Sequence, residues 1–311
     1  MTTYRGVLLA AGRGTRLKPL TDTVPKAAIP VLDVPLGVIP LDGLLGAATP
    51  VIVNTSHGSD LITQALGRPG VEFTQEVPEP YGSGGTLKAL ADDLRARVIV
   101  RNCDHLSDLD PGAVLATHEL LGSIATIAVV MTEARADFEV STGWATRMID
   151  RRAEDAPGAR YIGTAVIERS ALDLIPDERP IDLTKGLFRA LADKGELGIH
   201  VHDGYERDVG TLDRYLAASL DVLYGRVRRP HLPGEIVEIG DEGRAYLGPS
   251  SVGDRSDLRA GAIILAGATV ESGATVEDSI VWPGETVPRG THVSNSIFVS
   301  GRQLDVPSPA P

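Results

Sequence analysis

Four cations stand near the start of the chain: Arg13, Arg16, Lys18 and Lys26. They share the stretch Gly6 to Val31 with two closely spaced glycines, Gly12 and Gly14. Glycine lets the backbone pass close to a bound group, and amides in such a loop can face phosphate oxygens. The arginines add charged donors. Pro25 fixes φ beside Lys26 and helps to aim that lysine. Several cations on one glycine-rich loop suit a triphosphate better than a single phosphate. The chemistry implied is positioning and charge neutralisation. The spacing does not fit G-x-x-x-x-G-K-[ST], which excludes a P-loop. Nor does it fit G-x-G-x-x-G with an acidic residue about 20 positions on, which argues against a dinucleotide fold.

Other chemistry-bearing residues follow. The apolar run Val98–Val100 leads through Arg101-Asn102-Cys103 to Asp104, a carboxylate at a strand's end that is well placed to hold Mg²⁺ against phosphates. Cys103 as a nucleophile lacks a motif partner. His105 reads as a surface or pocket-lining residue. His200 and His202 resemble a metal pair, but surface placement is the expectation.

These residues need elements to hold them. Val7–Leu9 reads as a buried first strand, Thr49–Asn54 as a second, Val71–Gln75 as a third, Val98–Asp104 as a fourth and Ile124–Met131 as a fifth. Helical spacing marks Ser59–Leu66, and Thr86–Leu94 and Pro111–Leu121 read as further helices. Ile181-Asp182-Leu183 begins another, with Asp182 a candidate N-cap. Leu212–Tyr224 closes the series. Strands alternating with helices predict an α/β fold, doubly wound, with a mostly parallel Rossmann-like sheet whose ligands sit at the carboxyl ends of the strands.

The composition bounds the partners. A chain of 311 residues is expected to form one large domain and a small one. A net charge of −12 argues against nucleic acid and anionic membranes as partners. An anionic substrate must then be drawn by local charge, which the Arg13–Lys26 loop supplies. The single cysteine rules out an internal disulfide. No leader and no long apolar run is read, so a cytoplasmic location is expected.

After Arg226-Val227-Arg228-Arg229-Pro230 the pattern changes. Val252, Leu258, Ile264, Val270 and Val276 recur every six residues, with Gly261, Gly267 and Gly273 in the same period. The phase slips by one at Glu277-Asp278-Ser279 and resumes at Val281, Val287, Val293 and Val299. Such a hexapeptide period predicts a parallel β-helix. The expected division is a catalytic domain over 1–228, a β-helix over 229–301 that assembles a homo-oligomer, and a disordered tail over 302–311. Acyl transfer by the repeat would have only His292 as a base.

The first stretch carries a resemblance. Gly12-Arg13-Gly14-Thr15-Arg16-Leu17-Lys18-Pro19-Leu20-Thr21, then Pro25-Lys26 and Pro30-Val31, resemble the signature of the sugar-1-phosphate nucleotidyltransferases, the NDP-sugar pyrophosphorylases. Later motifs keep the family's order, and the resemblance covers about the whole chain. It implies that Leu9, Ala10, Ala11, Gly12, Gly14 and Thr15 bind the nucleotide and that Arg16 and Lys26 are catalytic. It implies that Gln75, Gly82 and Ser83 hold the nucleobase, a glutamine amide offering both donor and acceptor. Gly163 matches a glycine beneath the sugar ring. The family's sugar-phosphate lysine is missing, and Arg151 or Arg152 stands in its zone. Asp182 is read equally as a sugar contact or a simple cap. Asp104 and Asp208 match two metal-binding aspartates, with Mg²⁺ as cofactor and an NTP and a sugar-1-phosphate as substrates. The segments Val53–Thr55 and Asp203–Tyr205 look closest to the mannose- or heptose-1-phosphate guanylyltransferase and N-acetylmuramate-1-phosphate uridylyltransferase branch. The repeat resembles the left-handed β-helix at the carboxyl end of several such enzymes. Two rivals remain at this level: a nucleotide-sugar-binding regulatory subunit without turnover, and a nucleotidyltransferase for a non-sugar phosphate such as phosphocholine.

Overall fold

The computed structural model describes residues 4–94, 96–150, 155–227, 231–241, 243–253 and 257–306. Arg151 and Arg152 lie outside the described residues. The chain divides into two compact units, neither of them continuous in sequence. One runs to Arg13 and resumes over Gly37–Glu206; the other joins Gly14–Leu36 to the chain from Arg207 onward.

The first unit is built on a nine-stranded sheet. Its strands are β1 (Tyr4–Leu9), β2 (Val51–Thr55), β3 (Val71–Gln75), β4 (Arg97–Asn102), β5 (Ala125–Thr132), β6 (Phe138–Ser141), β7 (Trp144–Met148), β8 (Gly158–Glu168) and β9 (Leu197–Val201). Their spatial order is β3-β2-β1-β4-β8-β5-β9-β7-β6. The β3-β2-β1-β4 half is parallel throughout. Beyond it the sheet is mixed, because β8 runs antiparallel to both β4 and β5.

Alternation along the strands covers both faces. Val7, Ile52, Val98, Val100 and Ala165 pack with Leu87 and Leu90, at α3 (Gly82–Ala89), and with Leu183, Leu187 and Phe188. Gly6 points the other way, where a Cβ would meet Leu44 of α1 (Val38–Ala47) at 2.9 Å. Helix α2 spans Ser59–Leu66 and α4 spans Pro111–Leu121, both as the sequence predicts. Asp110 accepts from the Gly112 amide at 2.8 Å, Pro111 opens α4, and Gly122, at φ 61°, ends it.

Three local expectations need correction. Helix α3 starts at Gly82 rather than Thr86, because its glycines pack against the chain at Ile181. The helical segment does begin here, with Leu183 helical and Gly186 N donating to Asp182 O at 2.8 Å, but the Asp182 side chain is exposed and makes no cap bond among the described residues. Arg302–Asp305, placed in the expected disordered tail, form a strand antiparallel to Ser296–Val299. Gly301, at φ 68°, reverses the chain, and Gln303 Nε2 donates to Ser296 Oγ at 2.9 Å. Residues 307–311 lie outside the described residues.

The second unit contains the Pro30–Val31 and Val34–Pro35 hairpin, the helix Leu212–Leu223 and the repeat. The repeat forms short parallel sheets stacked as a β-helix. Its register pairs Ala262 with Ser279, Thr269 with Thr286, Thr275 with His292 and Ile280 with Ile297. Each coil therefore takes seventeen residues, one short of three hexapeptides, which is the phase slip seen in the sequence. The shortened corner holds Gly261, Asp278 and Asn295, one per coil, at φ 75°, 40° and 46°. Val270, Val276, Val281, Val287, Val293 and Phe298 fill the interior. Val252, the first member of the period, is 60% exposed and pairs with Thr269 through an isolated bridge.

Candidate active site

Within the first unit, β1 delivers the first part of the glycine-rich loop. Leu9 ends the strand, and its carbonyl accepts from Cys103 N at 3.1 Å. Ala10 N donates to Asn54 Oδ1 at 2.7 Å. Ala10 and Ala11 are buried, whereas Gly12 and Arg13 are exposed. Arg13 pairs with Glu79. Asn54 in turn donates from Nδ2 to Glu76 Oε1 at 2.8 Å and to Thr86 Oγ1 at 3.1 Å. Thr86 Oγ1 lies 2.5 Å from Glu76 Oε1, and Tyr81 N donates to Glu76 Oε2 at 2.7 Å. Buried Glu76 thus ties the β1 loop, through Asn54, to the start of α3. The sequence offers no signal for Glu76, since a glutamate between Gln75 and Val77 in a proline-rich turn carries no mark of burial.

Gln75 is exposed at the end of edge strand β3. Gly82 has φ 77°, and a Cβ there would lie 2.5 Å from Ile181 O. Gly84 N and Gly85 N donate to that same carbonyl, at 2.9 and 3.2 Å. Ser83 Oγ accepts from Leu183 N at 2.8 Å. The structure therefore brings Gly82 and Ser83 against the Asp182 segment.

The turn after β4 carries Asp104 and His105. Arg101, fully buried, holds it from behind by donating from Nη2 to Ser107 Oγ at 2.7 Å. Burial pushes the Arg101 guanidinium down to about 10. Cys103 is buried and is not among the residues with positive φ, so a side chain is accommodated in this turn. Asp104 is half-buried. Burial first, then the charges of Asp104 and Asp137, raise the Tyr161 hydroxyl above its ordinary range. Gly163, at φ 76°, lies against the turn, where a Cβ would meet His105 at 3.0 Å and Asn102 at 3.1 Å. Arg160 Nη2 donates to Glu206 Oε1 at 2.5 Å. The other Glu206 oxygen and His105 Nδ1 lie 4.0 Å apart, both buried and both without a hydrogen-bond partner among the described residues.

His200 and His202 do not form a ligand pair. His200 Nδ1 bonds Thr117 Oγ1 at 2.7 Å, while His202 Nε2 faces Asp108 at 3.0 Å.

Within the second unit, Gly14 has φ 60° and begins a tight turn through Thr15 and Arg16 to Leu17. Its carbonyl accepts from Leu17 N at 2.9 Å and from Thr21 Oγ1 at 3.0 Å. Thr15 and Arg16 are exposed. Lys26 is only 7% exposed, and a Cβ on Gly14 would lie 3.1 Å from the Lys26 Cβ. Arg16 and Asp208 converge on Gly210, where a Cβ would sit 2.9 Å from Arg16 Nη2 and 3.0 Å from Asp208 Oδ1. Asp208 Oδ2 accepts from Arg214 Nη1, and Arg207 pairs instead with Asp221 at 2.7 Å. The carboxylates of Asp104 and Asp208 are hard oxygen donors of the kind Mg²⁺ takes singly or in pairs, so the donor chemistry fits that ion.

This combination of fold and loop has a family. The chain belongs to the nucleotidyl transferase family, whose model matches residues 5–224. Among curated relatives, it is 28% identical to a mannose-1-phosphate guanylyltransferase of Mycobacterium tuberculosis, over 96% of this chain and 80% of that one. It is 27% identical to a mannose-1-phosphate guanyltransferase of Schizosaccharomyces pombe, over 74% of this chain and 66% of that one. A UTP–glucose-1-phosphate uridylyltransferase of Synechocystis is 28% identical over 76% of this chain and 68% of its own. Of solved structures, HddC from Yersinia pseudotuberculosis superposes with a TM-score of 0.58 at 23% identity, covering 70% of this chain and 98% of that one. That likeness shows the fold, while the family model gives the nucleotidyltransferase class of this enzyme. No helix among the described residues is long and apolar enough to cross a membrane.

Proposed function

We propose that the protein transfers a nucleotidyl group from an NTP to a sugar-1-phosphate, releasing pyrophosphate, with GTP and mannose- or heptose-1-phosphate as the substrate pair. The observation that carries this reading is the cation arrangement of the second unit: Lys26 buried against Gly14, and Arg16 converging with Asp208 at Gly210. A triphosphate needs such charge held in place. The names of the relatives support the sugar-1-phosphate and the guanine base.

In this reading a sugar-phosphate oxygen attacks the α-phosphorus in line, and pyrophosphate leaves. Arg16 and Lys26 hold and neutralise the phosphates. Leu9, Ala10, Ala11, Gly12, Gly14 and Thr15 supply the backbone of the loop; Gln75, Gly82 and Ser83 serve the base. Asp104 and Asp208 would hold Mg²⁺, which supplies charge neutralisation at the phosphates when bound. Gly163 and Asp182 serve the sugar phosphate. The unpartnered His105 Nδ1 and Glu206 Oε2 support a polyol there. One hydroxyl oxygen about 2.8 Å from each would bridge them. The outer faces of the β-helix are the proposed surface of a homo-oligomer.

The test is a matrix of the common NTPs against a set of sugar-1-phosphates and phosphocholine, with pyrophosphate release as the readout. Turnover of GTP with mannose- or heptose-1-phosphate above all other pairs is expected. Release only with phosphocholine would overturn the sugar reading. Nucleotide-sugar binding with no release in any well would leave the regulatory role instead.

A further inference from the structure

We infer that the β-helix is a working part of the reaction centre, because it fixes the segment that carries Lys26, and that Asp33 at the tip of the Pro30–Pro35 hairpin is the positioning residue that makes the joint. The inference rests on the functional reading above.

The hairpin pairs Pro30 with Pro35 and Val31 with Val34, and turns at Leu32 and Asp33. Both turn residues have positive φ, 50° and 60°. Turns of this kind ordinarily take Asn-Gly or Asp-Gly, since side chains are strained there. A strained turn persists when its surroundings over-determine it. Here they do. Leu32 is fully buried. Asp33 Oδ1 accepts from Ala266 N at 3.0 Å, and Asp33 Oδ2 accepts from the Tyr246 hydroxyl at 3.1 Å. That hydroxyl also accepts from Gly234 N at 3.0 Å. Gly248 lies against the same carboxylate oxygen, leaving no space for a side chain. Both carboxylate oxygens are thus used on the β-helix domain: Ala266 lies within the repeat and Tyr246 on the preceding strand, which pairs parallel with Ala262–Ile264.

The base of the hairpin is held as well. Tyr215 donates its hydroxyl to Pro30 O at 2.5 Å, and its ring packs edge-on to Trp282 at 6.2 Å. Between base and Lys26 there is only one helical turn, closed by Ala28 N to Pro25 O at 2.8 Å and Ile29 N to Lys26 O at 3.3 Å. Leu36 N donates to Ile29 O at 2.8 Å on the return strand side. Little slack separates Asp33 from Lys26. A repeat that served assembly alone would have no use for a half-buried carboxylate bonded to it at the tip of this hairpin. A charge that acts in a transition state does need a rigid support.

The test compares Asp33→Ala, Asp33→Asn, Lys26→Ala and the Asp33→Ala/Lys26→Ala double variant in the full chain, with circular dichroism to confirm folding. Asp33→Ala is expected to lower kcat about ten-fold or more while both KM values stay within about three-fold. Asp33→Asn keeps an acceptor for Ala266 N and should restore most of kcat. Because Asp33 acts through Lys26, the double variant should be no slower than Lys26→Ala alone. If Asp33→Ala does not fold, Tyr246→Phe removes one of the two bonds and should lower kcat a few-fold in the same pattern. Wild-type kcat in folded Asp33→Ala, or losses that multiply in the double variant, would overturn the proposal. If the wild-type protein releases no pyrophosphate with any substrate pair, the functional reading fails. The joint is then judged by hydrogen exchange at the amides of Lys26, Ala27, Ala28 and Ile29, faster in Asp33→Ala if it holds and unchanged if it does not.

Discussion

Replacing Glu76 tests the scaffold of the proposed nucleotide loop. Its carboxylate is 3% exposed and receives Asn54 Nδ2, Thr86 Oγ1 and Tyr81 N, at 2.8, 2.5 and 2.7 Å. Glu76→Ala removes all three contacts and leaves buried donors facing a void. Hydrogen bonds to a charged group contribute about 1.5–3 kcal/mol each, and a stranded buried donor costs about 1–3 kcal/mol. Asn54 Nδ2 retains Thr86 Oγ1 at 3.1 Å, and Thr86 Oγ1 retains Gly82 O at 2.9 Å. Tyr81 N is then the donor most exposed to loss. A net destabilisation of roughly 3 kcal/mol follows, or roughly 6–12 °C in Tm at ~2–4 °C per kcal/mol. Because Ala10 N is held only one step away, through Asn54, the KM for the nucleotide should rise more than the KM for the sugar phosphate. Glu76→Gln should fall between, since its amide must face a donor on one side. The assay pairs a thermal melt with initial rates at varied NTP. A Glu76→Ala protein melting within about 1 °C of wild type, with its nucleotide KM unchanged, would refute the network's role.

Lys26→Ala should lower turnover by ~10²–10³ while the melting temperature moves far less, as expected for loss of a transition-state charge contact; near-normal turnover would sink the assignment. Asp104→Asn and Asp208→Asn should each raise the Mg²⁺ concentration needed for half-maximal rate, read in a metal titration after chelation, and an unchanged titration curve would argue against either ligand. His118 and His200 are both held below their ordinary pKa of 6.5, chiefly by burial. The unfolded chain therefore binds more protons in the window below about 6.5, so the stability they contribute is present above that value and is lost as pH falls through it. Melts between pH 7.5 and 5 should show this decline, and His118→Gln should flatten it.

The elements that sequence announces are those whose cause is local. Asp110-Pro111 and Gly122 bracket α4, and both ends are in the string itself. The seventeen-residue coil is visible as a period with a slip, because each corner needs its own special backbone. What stays hidden is set by distant partners. Nothing in the run Gly82–Gly85 says that its glycines face Ile181, a hundred residues on. Asp182 resembles a cap, yet its segment instead supplies backbone to α3. Glu76 and Asp33 look like surface acids, and only the folded chain surrounds them with donors. Arg16 and Lys26 stand out as candidates by type and spacing; the support beneath them does not.

The discontinuous second unit also sets an order of events during synthesis. Gly14–Leu36 leaves the ribosome early, but Tyr215, Tyr246 and Ala266, which hold its hairpin, come much later. At about 5–20 residues per second, the interval between Leu36 and Arg207 lasts roughly ten to thirty seconds. During that time Leu17, Leu20, Ile29, Val31 and Leu32, all buried in the finished protein, belong to a nascent chain whose covering surface is not yet made. The segment that carries Lys26 is therefore among the last to acquire its structure, and a prematurely ended chain would expose it as an apolar, aggregation-prone tract.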